Sequence, residues 1–152
     1  MGTNGLYVFV YNKKYYIFYK GMDSYPKCLG KLIVEEINDW THEYIELLKQ
    51  CILKINVNST QTYCGFESLD HSVKHTRQYC CYISTVPPNF SEGDHQWIYT
   101  IDLDNTQFSV EWNEVSPTND GGIHTLPRKQ VFNLLDIPES WIDTIMDKCS
   151  DY

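Results

Sequence analysis

The chain has 152 residues, 42% of them hydrophobic, with 12 Tyr, 4 Trp and 6 Phe, and a formal net charge of −8. That length suits one ordinary domain (residues 1–152) with a core of its own, and the apolar content weighs against a wholly disordered chain. The acidity, with no Lys/Arg run longer than Lys13-Lys14, weighs against general nucleic-acid binding, because an acidic surface repels phosphate.

The first clear signal is GLYVFVYNKKYYIFYKG. Leu6–Tyr11 and Tyr15–Tyr19 are β-branched and aromatic runs around the polar Asn12-Lys13-Lys14, which predicts a β-hairpin over about residues 6–19. Both runs are nearly apolar on both faces, so the hairpin is expected inside a sheet covered on each side. After DSYPKCLG, the residues Leu29, Leu32, Ile33, Ile37 and Trp40, then Tyr44, Leu47, Leu48, Cys51 and Ile52, follow helical spacing. They predict helices over about residues 28–53, broken near Asn38–Thr41, where Asp39 or Thr41 supplies a cap. A short helix from Ser68 to about Arg77 and a strand in YCCYISTV follow, then a surface loop, PPNFSEGDHQ.

WIYTIDLDNTQFSVEWNEV predicts a second hairpin over about residues 97–113. Trp97, Tyr99, Ile101 and Leu103 share one face, Phe108, Val110 and Trp112 share one face of the next strand, and Asp104-Asn105 supplies the turn. IHTLPRKQVFNL is expected to hold a short strand or two. A last helix over about residues 138–149 is predicted to begin at Pro138, with Trp141, Ile142, Ile145, Met146 and Cys149 on its apolar stripe. The fold class is therefore α+β, a mostly antiparallel sheet built from two hairpins and packed with helices.

No apolar run approaches the roughly 20 residues that span a bilayer. The N-terminal stretch lacks a basic region and a small-residue cleavage site, so it is not expected to act as a signal peptide. A cytoplasmic location follows, with reduced thiols at Cys28, Cys51, Cys64, Cys80, Cys81 and Cys149 buried as small hydrophobes. Charge is uneven: residues 1–90 carry nine Lys/Arg and eight Asp/Glu, and residues 91–152 carry three and twelve.

Three places hold chemistry-bearing side chains. Asp23, Ser24 and Tyr25, at the end of a buried strand, offer a carboxylate, a hydroxyl and a phenol to a pocket; the same residues also suit a strand-to-helix turn, with Asp or Ser as cap. His71 and His75 lie one helical turn apart near Cys64 and Cys80, types that zinc accepts, but without paired Cys-x-x-Cys spacing. Asp102 and Asp104 share a strand face and suit either a hard cation or turn chemistry. No cofactor is expected.

The segment GLYVFVYNKKYYIFYKGMDSYPKCLG resembles a poorly characterised family from fungi, large DNA viruses, and bacteria and their phages. Its pattern is an aromatic hairpin followed by Tyr-Asn-His-x-Asp-Ser-Tyr-Pro-x-Gly-Leu-Gly. The match covers about the first 40 residues, and YTIDLDNTQFSV and LLDIPESW resemble later segments. Lys20-Gly21 stands where the family has Asn-His, and Cys28 where it has Gly, so an activity carried by that Asn and His is lost here. The location it implies for a viral member is the host cytoplasm. The order of elements is also similar to N-terminal-nucleophile hydrolases, which implies a reactive Thr3 exposed by trimming, with Asp23 in the pocket. Two functions follow. The first is a non-catalytic module that binds a protein partner or a second copy of itself, with no nucleic acid and no membrane involved. The alternative is a hydrolase or amide-processing enzyme using Asp23, Ser24, Tyr25 and Thr3.

Overall fold

In a computed structural model, which describes residues 3–53, 82–91, 93 and 95–149, β1 (Gly5–Tyr11) and β2 (Lys14–Lys20) form the expected aromatic hairpin. Its turn residues, Asn12 and Lys13, both have positive φ, 52° and 61°. That left-handed pair matches the right-handed twist of the strands on either side. The Asp104 carboxylate stabilises it, accepting from the Asn12 N–H at 2.8 Å and the Lys13 N–H at 2.9 Å.

Leu6, Val8 and Val10 face one side of β1, Tyr7 and Phe9 the other, and all five are buried. A strand buried on both faces belongs in the middle of a sheet. Accordingly β2 pairs antiparallel on one side of β1, and β4 (Trp97–Asp102) pairs in parallel on the other, Tyr7 beside Tyr99. β3 (Tyr82–Ser84) lies beyond β2, and β5 (Gln107–Pro117) and β6 (Ile123–Asn133) lie beyond β4. The order is β3-β2-β1-β4-β5-β6, with β1 and β4 the parallel junction in an otherwise antiparallel sheet. The fold is α+β.

The helices α1 (Lys31–Ile37), α2 (His42–Ile52) and α3 (Trp141–Met146) pack on one face. They bury Ile33, Ile37, Leu48, Ile52, Trp141 and Ile145 in one cluster with the sheet's Tyr7, Phe9, Phe18, Trp97, Tyr99 and Phe108. The opposite face buries Leu6, Val8, Val10, Ile17 and Ile98, with Tyr15, Tyr19 and Phe90 against them. Among the described residues no helix is long and apolar enough to cross a membrane.

Three boundaries differ from expectation. The first helical region opens with a π-helical turn, Pro26–Gly30, that runs into α1; Thr41 then caps α2, accepting from the Tyr44 N–H at 3.1 Å. Pro138 opens a turn rather than a helix: its carbonyl accepts from the Trp141 N–H at 3.1 Å, and α3 begins there. The helix expected over Ser68–Arg77 lies outside the described residues.

The third difference is the largest. Where a short strand or two was expected, β6 is one strand of 11 residues running through Pro127. Register gives the reason. The Thr118 N–H donates to the Gly122 carbonyl and the Leu134 N–H to the Thr106 carbonyl, both at 3.0 Å, at the two ends of the β5–β6 hairpin. With Phe108 opposite Phe132 between them, the even-numbered residues of β6 carry the ladder to β5. The odd-numbered residues, Pro127 among them, turn their N–H and C=O away from β5. The missing N–H of Pro127 therefore costs that ladder nothing.

Candidate functional site

The corner at residues 23–30 is built by close backbone approach. Ser24 is fully buried. Its N–H donates to the Thr3 carbonyl at 3.0 Å, its hydroxyl donates to the Lys20 carbonyl at 3.2 Å, and its own carbonyl accepts from the Tyr99 hydroxyl at 2.6 Å. Gly5 makes this possible: a Cβ there would lie 2.6 Å from the Ser24 Cβ. Gly30 plays the same part against the helix layer, where a Cβ would lie 2.7 Å from the Trp141 ring and 2.9 Å from that of Tyr99. Burial pushes the Tyr99 phenol well above its ordinary range, and the nearby thiols of Cys28 and Cys149 push the same way.

The expected capping by Asp23 or Ser24 side chains is not what holds this corner. Tyr25 occupies the N-cap position of the π-helical turn with no side-chain cap bond, and Asp23 joins the turn through its backbone, its carbonyl accepting from the Leu29 N–H at 3.2 Å. The reason is conformational: Asp23 sits at φ 54°, in the left-handed region, with its side chain exposed. The candidate reactive groups are thus differently housed. Thr3 is buried with its carbonyl engaged, Ser24 gives its proton to a carbonyl rather than to a base, and Asp23 and Tyr25 reach solvent. A hydroxyl becomes a nucleophile when a base takes its proton, and a peptide carbonyl is no base.

Asp102 and Asp104 are engaged as hydrogen-bond acceptors. Asp102 accepts from the Asn105 backbone and side-chain amides at 3.0 and 2.9 Å, while Asp104 reaches across to the β1–β2 turn. His71, His75, Cys64 and Cys80 lie outside the described residues. Among the described residues, no group of three or more His, Cys, Asp or Glu is placed to hold a metal ion. Cys28, Cys51 and Cys149 are free thiols; Cys28 is exposed rather than buried, and burial pushes the Cys149 thiol up to about 11.

A second locus is the outer edge of β6, which sequence reasoning did not single out. Among the described residues β6 pairs with β5 alone. The odd-numbered residues from Ile123 to Val131 therefore present N–H and C=O groups outward, apart from the proline N–H. The edge ends at Asn133, whose carbonyl accepts from the Asp136 N–H at 3.1 Å, and the Gln130 side-chain amide leans on the Val131 carbonyl at 3.5 Å. Apolar side chains stand on this strand in solvent: Ile123 is 74% exposed, Leu126 42% and Val131 41%. Among the described residues β5 has no β4 partner beyond Trp112, so Asn113–Pro117 and Ile123–Pro127 pair there as two strands.

Alongside the edge runs a groove of about 300 Å³ lined by Asn89, Phe90, Ser91, Asn113, Thr125 and Pro127. It lies on the sheet face of the odd-numbered β6 residues, because Thr125 and Pro127 line it. The sequence carried one signal for this edge. A proline between β-prone residues is tolerated only where its N faces no neighbour.

No protein-family model, characterised protein or solved structure matches this chain.

Proposed function

We propose that this chain is a non-catalytic protein-interaction module that captures an extended segment of a partner by adding it as a seventh strand beside β6. The observation that carries the reading is the outward row of β6 backbone groups from Ile123 to Val131, continuous with exposed Ile123, Leu126 and Val131. An added strand satisfies such groups with main-chain hydrogen bonds, and side-chain pockets supply selectivity. The groove beside Thr125 and Pro127 is such a pocket, and Phe90 and Pro127 give it apolar walls. The Asp23–Gly30 corner then serves as scaffold, with Ser24 and Tyr99 fixing the central strands that carry the edge. The resemblance to the fungal, viral and phage pattern is consistent with this division, since the Asp-Ser-Tyr-Pro and Leu-Gly residues it shares are the ones the corner uses for backbone geometry.

The test is selection of linear peptides from a random display library on the immobilised protein, with Thr125→Pro as counter-target. Thr125 N–H faces outward, so a proline there removes a docking group without touching the β5 ladder. Selected peptides should bind the parent and lose binding to Thr125→Pro. Peptides that bind both proteins equally would place recognition elsewhere.

A further inference from the structure

We infer that the partner segment is acidic, carrying two adjacent carboxylates within a β-prone stretch, and that a second copy of this chain is the wrong occupant. The inference rests on the strand-addition reading above. Its ground is where the cations are. Residues 91–152 contain only three Lys/Arg among twelve Asp/Glu, and those three are Arg128, Lys129 and Lys148. Arg128 and Lys129 lie in β6, which contains no Asp or Glu, and Lys148 donates to the side chain of Gln130 in the same strand. The Lys and Arg residues of this acidic part thus lie either on the edge strand β6 or, for Lys148, against one of its side chains.

Their carboxylate neighbours lie one strand further in. Arg128 pairs with Glu114, and Lys129 stands opposite Glu111, both on β5. An added strand lies about 4.8 Å from β6 and about twice that from β5, so it meets the cations first. Alternation places Arg128 on the helix-side face with Phe132, and Lys129 on the other face. One carboxylate therefore answers only one of them. Two consecutive acidic residues, pointing to opposite faces, answer both.

The same features disfavour self-pairing. Antiparallel pairing of β6 with its own copy near the middle of the strand brings Arg128 and Lys129 close to their symmetry mates. It also sets two prolines in one ladder, each lacking a donor. Lysine and proline on an edge are features by which sheet proteins avoid pairing with themselves. An acidic strand from another protein turns the charge from a barrier into an attraction.

The experiment uses two labelled synthetic peptides, Thr-Val-Glu-Glu-Val-Thr-Val-Thr and its counterpart with Lys-Lys for Glu-Glu, titrated by fluorescence anisotropy. At about 50 mM salt, where screening is weak, the acidic peptide should bind about tenfold more tightly than the basic one. The preference should shrink at high salt and reverse in Arg128→Glu/Lys129→Glu, with Lys129→Glu alone giving an intermediate result should the double variant fold poorly. Equal binding of the two peptides, or a preference unmoved by these reversals, overturns the acidic inference. Thr125→Pro separates the two claims. If it abolishes equal binding of both peptides, strand addition stands and the charge argument falls. If it spares binding, strand addition falls too, as it does if neither peptide binds at all.

Discussion

The Tyr99 hydroxyl donates a 2.6 Å hydrogen bond to the carbonyl of Ser24, 75 residues away in sequence, with both residues fully buried. This bond ties β4 to the corner that follows β2. Tyr99→Phe leaves the ring in place and a buried carbonyl short of a donor, a loss of about 1–3 kcal/mol. Urea unfolding should show a lower midpoint with an unchanged slope. The raised phenol adds a pH signature. The folded protein keeps the Tyr99 proton more tightly than the unfolded chain, so this stability is fully present below the ordinary tyrosine value near 10 and is lost as pH rises above it. Tyr99→Phe should lessen the alkaline fall.

Gly5 and Gly30 are two positions where an added Cβ would lie under 3.0 Å from packed core side chains. Gly5→Ala drives a methyl into Ser24, and Gly30→Ala drives one between Tyr99 and Trp141. Each should cost about 1–3 kcal/mol by overpacking. Gly121→Ala is the informative contrast, because its Cβ meets nothing within 4 Å and only its φ of 84° opposes the change. Thermal melts of the three variants should place Gly121→Ala nearest the parent.

Asp23 tests whether the corner is scaffold. At φ 54° an aspartate is strained and a glycine is not. Asp23→Gly should leave stability unchanged or raise it by up to about 1 kcal/mol, and Asp23→Ala should lower it by about 1 kcal/mol although no core atom is lost. Chemical denaturation of the pair reads the sign directly, and peptide binding at β6 should be the same in both.

Glu111 gives an acid-side test. Partial burial raises its carboxyl above the ordinary range, and Lys129, its register partner, lowers it in part. The folded state therefore binds that proton more tightly than the unfolded chain. The associated stability is present below the ordinary glutamate value near 4.3 and is lost as pH rises through the folded value. Glu111→Gln should match the parent at about pH 3 and exceed it at about pH 7. Parallel unfolding titrations at the two pH values check this, and the reverse order would contradict it.

Both hairpins were legible in the sequence because aromatic and β-branched runs declare a strand wherever they occur, and Asn12-Lys13 declares the break. The parallel junction of β1 with β4 was not, since alternation tells which face a residue takes but not which strand lies beside it. Asp104 sits in the β4–β5 turn, as its residue type predicts, and its carboxylate also serves the backbone of Asn12, 92 residues earlier, which no local pattern reveals. Ser24 was expected as a helix cap because small hydroxyls before helices usually are; the glycine at position 5 lets it take a buried cross-link instead. The β6 edge stayed hidden because Pro127-Arg128-Lys129 looks like an interruption until register shows which way Pro127 faces.

The most direct measurement is amide hydrogen exchange along β6 by NMR. The even-numbered amides of Leu126, Arg128 and Gln130 should exchange slowly, and the odd-numbered amides of Thr125, Lys129 and Val131 quickly, a period of two along one strand. Adding the Glu-Glu peptide should slow the odd-numbered amides alone. Uniform exchange along the strand, or odd-numbered amides already protected in the free protein, would contradict an open edge built for a partner strand.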